Sequence, residues 1–311
     1  MDPSEIASER KPSKAHQWFL AGAQVLAELA LELPEGNWYG CPLCQTFFTI
    51  DELATKNLTK EHVPPRSIGG REMVLTCRQC NNRAGSTFDA HLERAEAFRR
   101  FGSDEPLRQL DITLTVAGIP NRGSMYAGPA GILIYGNPKQ NHPEDVAKIT
   151  ESFADLVNDG HRMEVTFRDT FHPRTAQLGF VRAAYLAAFA VLGYAYIFRP
   201  VFEPIRAALN GDDDESLVLP VLRRNGGRSD DREIGLISEP GWLAGAVLVV
   251  IGQTAVILPN VDTPGDPLTE LGARRDRSPD DLYGNITISP AFEWPTGPQH
   301  GFDRWLIAQR R

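Results

Sequence analysis

Cysteine is scarce in this chain, four residues in 311, which excludes a disulfide-stapled scaffold of the small secreted kind. No N-terminal segment joins a basic start, an apolar run and a small-residue cleavage site, so no secretory signal is expected and a cytoplasmic setting is. Basic excess is lacking too: the formal net charge of −8 excludes a protein that coats nucleic acid by charge alone. Nor is there an uninterrupted apolar run of membrane-span length. LGFVRAAYLAAFAVLGYAYIF carries Arg182 and three tyrosines and reads as a buried helix. GWLAGAVLVVIGQTAVILP is β-branched, is broken by Gly252-Gln253 and reads as two core strands, so no membrane contact is expected.

What is present, 42 % apolar and 23 % charged residues, is the balance of a globular protein with a sizeable core. AHQWFLAGAQVLAELALEL has helical apolar spacing and stops before Pro34, which predicts a docking helix in residues 1–36. The cysteine segment occupies residues 37–105, and its tail, STFDAHLERAEAFRRFG, reads as a helix. Beyond it the texture alternates. LDITLTVAG and GILIYGN read as strands separated by the turn-rich IPNRGSMYAGPA, and PEDVAKITESFADLVNDG as a helix. RMEVTF reads as a strand, AYIF as a short one, and PVFEPIRAALNG as a helix. Further strands are expected around SLVLPVL and EIGLIS, then a Pro/Gly-rich tail from Asp262. The fold class expected is α+β: an N-terminal helix, a metal-stabilised module, and a larger mixed body over residues 106–311 concerned with targeting or assembly.

The cysteines stand as two C-x2-C pairs, Cys41/Cys44 and Cys77/Cys80, with 32 residues between the pairs. Two-residue spacing lets both thiolates of a pair reach one tetrahedral Zn²⁺, and two pairs close a four-thiolate site. Such a site leaves no open coordination position, so its zinc holds the fold and does no chemistry. A disulfide pairing would need an oxidising compartment, and a redox dithiol only one pair. The same stretch is locally basic: from Leu53 to Arg100 there are nine Lys and Arg against five Asp and Glu. On charge alone that is equally a solvated face.

Between the pairs lies TKEHVPP, and CNNRAG follows the last cysteine. Over Cys41 to Leu92 these residues resemble the HNH endonuclease superfamily with its ββα-metal fold, in the zinc-stabilised four-cysteine branch similar to recombination endonuclease VII. The resemblance implies a β-hairpin that presents an acid-His pair and a following helix that supplies a polar ligand. Carried over, Glu61 would hold a catalytic Mg²⁺ or Mn²⁺, Asn81 would be a second oxygen ligand, and His62 would be the general base. Neighbouring residues on a strand point to opposite sides, so Glu61 can face an ion while His62 faces the attacking water. A hard cation accepts carboxylate and amide oxygens, and imidazole is the side chain suited to proton transfer near neutral pH.

The match to the family pattern is incomplete. The asparagine usual in the family shortly before the second cysteine pair is absent, this chain having Glu72-Met73-Val74-Leu75 there, and Asn81 stands where the commonest pattern has histidine. Asn82 takes the ligand role if the helix register differs by one, and Asp89, eight residues after Asn81, is a possible support two turns along. Arg66, Arg78 and Arg83 are candidate phosphate contacts, with surface salt bridges as the alternative. The resemblance implies DNA as partner, and by analogy a protein partner in a phage-defence, restriction or mobile-element system. The competing expectation is a zinc module that binds nucleic acid or protein without catalysis, in which Asn81 and Asn82 only cap a helix.

Overall fold

The structure, a computed structural model, describes residues 12–29, 33–100, 109–116, 118–128, 131–158, 163–168, 170–224, 227–261, 267–277 and 286–310. Helix α1 (Lys14–Glu28) is capped by Ser13, whose side chain accepts from the His16 amide, and buries Trp18, Phe19, Val25 and Leu26. Strands β1 (Tyr39–Gly40) and β2 (Phe47–Phe48) pair, α2 (Asp51–Ala54) is a single turn, and β3 (Leu58–Val63) forms an antiparallel hairpin with β4 (Arg71–Cys77). Helix α3 (Arg78–Ala84) starts directly from β4 and passes through a π-helical stretch, Gly85–Asp89, into α4 (Ala90–Arg100). Next come β5 (Gln109–Val116), β6 (Ile119–Gly128), β7 (Gly131–Gly136), α5 (Pro143–Asn158) and β8 (Met163–Phe167). The chain continues as α6 (Pro173–Leu192), α7 (Tyr194–Ile197), α8 (Glu203–Asn210), β9 (Val221–Arg223), β10 (Arg232–Glu239), β11 (Ala246–Ile251) and β12 (Thr254–Asn260). It closes with α9 (Pro267–Arg277), β13 (Thr287–Phe292) and α10 (Gly301–Arg310). Helices and sheets are mixed along the chain, so the fold is α+β as expected.

The contacts divide this chain into two compact units, Met1–Ser86 with Gln177–Arg311, and Thr87–Ala176. That differs from the expected split near residue 105. The reason is that α6 and the segments after it pack on the cysteine segment itself. Tyr185 Oη donates to the Pro42 carbonyl at 2.8 Å, Tyr194 Oη to Gly40 at 3.2 Å, and Asn210 Nδ2 to Leu43 at 3.1 Å. Burial pushes the Tyr39, Tyr185, Tyr194 and Tyr196 hydroxyls well above the ordinary tyrosine range, so all four act as neutral donors. Helix α6 is long and apolar enough to cross a membrane by composition, yet from Phe180 to Leu192 it is buried inside the unit. Its sheet, in the order β13-β10-β11-β12-β9, is antiparallel throughout, with Leu248, Val250 and Ile257 packed against Leu271 of α9.

The second unit carries an antiparallel sheet in the order β7-β6-β5-β8. Here IPNRGSMYAG is strand β6 and not a turn region. A Cβ on Gly123 would lie 2.1 Å from the Tyr135 carbonyl, so this glycine serves the close approach of β7 within a strand.

AYIF is also reassigned, from strand to the short helix α7. Gly193 takes φ +102°, and the amides of Tyr194 and Ala195 donate to the Asp303 carboxylate at 2.8 and 2.7 Å. A Cβ on Gly193 would sit 1.8 Å from Asp303 Oδ2, so the glycine and its distant cap go together. Asp303→Ala leaves both amides without their acceptor. The expected cost is roughly 2–4 kcal/mol, read as a lower urea midpoint at unchanged slope. A midpoint equal to the wild type's would show that another acceptor replaces the carboxylate.

Candidate functional site

The cysteine frame closes. The four Sγ atoms of Cys41, Cys44, Cys77 and Cys80 lie within 4.8 Å of one another, and Cys44 and Cys77 are 3.7 Å apart. Four sulfurs about 2.3 Å from a tetrahedral zinc are about 3.8 Å from each other, whereas a disulfide needs about 2.05 Å. All four are free thiols. The backbone supports the cluster: the Cys77 amide donates to Cys41 Sγ and the Cys80 amide to Cys77 Sγ, both at 3.4 Å. Hydrogen bonds from neighbouring sulfurs, that from Cys41 foremost, bring the Cys77 thiol down to about 7. Contacts with those three sulfurs push the Cys80 thiol up, and burial does the same to Cys41. Four crowded sulfurs, three of them buried, cannot all become thiolates without a cation, and the set fits structural zinc.

The hairpin presents the acid-His pair. Thr59 and Thr76 are cross-strand partners, and Thr76 Oγ1 donates to Glu61 Oε2 at 3.1 Å, so Thr59, Glu61 and Thr76 share a face. Asn81, in the first turns of α3, meets that face: its Nδ2 donates to Thr59 Oγ1 at 2.9 Å and lies 3.5 Å from the Lys60 carbonyl. With the nitrogen so placed, the Asn81 amide oxygen has no hydrogen-bond partner among the described residues. Asn82, the next residue of the helix, is exposed. By alternation Lys60 and His62 lie on the opposite face of β3, where Lys60 Nζ is 2.6 Å from Glu72 Oε2. His62 is half-buried, and among the described residues neither ring nitrogen has a hydrogen-bond partner. The register slips by one residue beside it, leaving Met73 unpaired opposite the Glu61-His62 step. Gly69 at φ +85° turns the hairpin, and a Cβ on Gly70 would fall 1.4 Å from the Pro64 carbonyl, which accounts for the IGG sequence.

Arg182 was not anticipated at this site. It projects from α6 and its Nη1 donates to Glu61 Oε1 at 3.1 Å, while Nη2 lies 3.1 Å from Oε2 without hydrogen-bonding alignment. Both side chains are almost fully buried, 4 % and 5 % exposed. An arginine in the apolar, buried part of a helix demands a buried counter-charge, and that was the available signal. The carboxylate and the Asn81 oxygen have the donor chemistry of a hard-cation site, but the Glu61 charge is already met by Arg182.

Other expected residues are placed differently. Arg83 Nη1 donates to the Asn210 carbonyl and, at 3.1 Å, to its Oδ1, so it ties α3 to the end of α8. Arg78 donates to the Lys56 and Thr55 carbonyls at 2.8 and 2.9 Å, closing α2. Both are committed to carbonyls because unpaired acceptors at helix ends compete with phosphate for a guanidinium. Arg66 is exposed on the hairpin turn, and its guanidinium has no partner among the described residues. Asp89 ends the π-helical stretch and belongs to the second unit. A π turn offsets helical register, so an eight-residue spacing from Asn81 no longer means a shared face.

Residues 41–96 match the family model of HNH endonucleases, which spans the cysteine frame, the hairpin, α3 and most of α4. The match covers under a fifth of the chain and supports a nuclease-type function acting on nucleic acid. No curated protein and no solved structure matches.

Proposed function

We propose that the chain is a metal-dependent endonuclease that hydrolyses phosphodiester bonds in DNA, with His62 as general base. The observation that carries this reading is the juxtaposition of β3 and α3. The Asn81 side chain of α3 donates to Thr59 on the face of β3 that carries the Glu61 carboxylate, and the next residue of the strand is an imidazole with no hydrogen-bond partner among the described residues. Glu61 and Asn81 would hold Mg²⁺ or Mn²⁺, which when bound supplies charge neutralisation at the phosphate and the leaving oxygen. His62 takes the proton from the attacking water, and Arg66 at the turn steadies a neighbouring phosphate. The cysteines hold zinc and keep β4 and α3 in register. Reduced thiolates suit a cytoplasmic setting without membrane contact, and a role in phage defence, restriction or a mobile element fits a small acidic nuclease that acts with a protein partner.

Nicking of supercoiled plasmid with Mg²⁺ or Mn²⁺ tests the proposal. His62→Ala should lower the rate by roughly 10²–10⁴-fold at unchanged zinc content and melting temperature. Equal nicking by the two proteins would retire His62 as the base. One observation favours a second reading, a non-catalytic zinc module: the Glu61 charge is compensated by Arg182. A folded, zinc-loaded wild type that binds DNA yet never nicks it would decide for that reading.

A further inference from the structure

We propose that the Arg182 guanidinium occupies the cation position of the Glu61 centre, so that a divalent ion binds there only by exchange with Arg182. The inference rests on the metal-dependent reading above and adds a competitor built into the chain. Glu61 has its Oε1 on Arg182 Nη1 and its Oε2 on Thr76, so no carboxylate oxygen is left without a partner. A divalent cation brought to that carboxylate would meet a guanidinium held 3.1 Å from it, and like charges at such range oppose each other strongly away from water. The two cations therefore exclude one another.

The pair is also poorly optimised for its burial. An arginine-carboxylate fork normally makes two parallel hydrogen bonds, whereas here Nη1 makes one and Nη2 is buried with none. A guanidinium left partly unsatisfied in this way is exchangeable, which a fully bonded fork would not be. The Asn81 side chain is held by its nitrogen on Thr59, two residues before Glu61 on the strand, so its amide oxygen is the second ligand offered to the incoming ion. Apparent affinity is reduced by the fraction of molecules in which the pair is closed; a pair closed nine-tenths of the time weakens ion binding about tenfold.

The test titrates the zinc-loaded full chain with Mn²⁺ and follows free ion by its paramagnetic resonance signal. Arg182→Met, which keeps volume and removes charge, should bind one Mn²⁺ about tenfold or more tightly than wild type. Glu61→Gln should abolish that site in either background. Should Arg182→Met not fold, Arg182→Lys keeps the charge without the fork and should remain within about threefold of wild type. A Mn²⁺-soaked wild-type crystal should show the ion at Glu61 with the Arg182 side chain withdrawn. If Arg182→Met binds no tighter, or the ion sits at Glu61 with the ion pair intact, the exchange is overturned while the metal-dependent reading stands. If no variant binds Mn²⁺ through Glu61 and wild type does not nick DNA, both fall together.

Discussion

Cys77→Ser should release zinc and unfold the unit formed by Met1–Ser86 and Gln177–Arg311, and the loss should be cooperative, not a local fraying of the cysteine frame. Cys77 does three things at once. Its Sγ stands 3.7 Å from Cys44 Sγ in the cluster, its amide donates to Cys41 Sγ, and its side chain accepts from the Cys80 amide as the N-cap of α3. Serine keeps a cap but is no zinc ligand of comparable strength. Apparent zinc binding in such sites is worth roughly 10–16 kcal/mol near neutral pH, and whole domains are stable by about 5–15 kcal/mol. The binding energy is thus as large as the stability it supports. The damage spreads because Pro42, Gly40 and Leu43, all beside the first cysteine pair, accept from Tyr185, Tyr194 and Asn210 of the later helices. Metal analysis should find about one zinc per wild-type chain and none in the variant, with a large fall in melting temperature. A chelator should reproduce the effect, whereas reductant alone should do nothing to four free thiols. Zinc retained at wild-type stability would remove the structural role assigned to the frame.

This clamp was legible because its information is local: two-residue spacing within each pair and an Asn directly after the last cysteine. The buried helix and the β11-β12 hairpin were legible for the same reason, since runs of apolar residues report burial wherever the rest of the chain lies. The misreadings share the opposite property. AYIF becomes helical through an acceptor 109 positions away, Asp303, and β6 is a strand because β5 and β7 flank its glycines. The tail from Asp262, read only as Pro/Gly-rich, contains α9, β13 and α10, whose roles depend on partners earlier in the chain. Arg78 and Arg83, expected as phosphate contacts by sign and position, each donate to backbone carbonyls that composition cannot locate. Arg182 lies 121 residues from Glu61, so no motif spacing could join them.

Glu61→Ala should destabilise the protein by about 3–5 kcal/mol, even though the residue was singled out for chemistry. Removing the carboxylate leaves the Arg182 cation, 4 % exposed, with its Nη1 bond lost and Nη2 already without one, and leaves Thr76 Oγ1 without its acceptor. An exposed ion pair would cost under about 1 kcal/mol; burial makes the difference, because the orphaned charge cannot be rehydrated. A double-mutant cycle separates the parts. Arg182→Met alone leaves a buried carboxylate and should be destabilising, while Glu61→Gln with Arg182→Met leaves no charge and should recover most of the loss, measured by urea midpoints. Additive losses would show that the pair is not coupled and that Glu61 matters to stability in another way. The consequence for assays of cleavage is direct. Low nicking by Glu61→Ala mixes lost chemistry with lost fold, so the double variant, folded and without the carboxylate, is the protein that isolates the chemical role of Glu61 from its structural one.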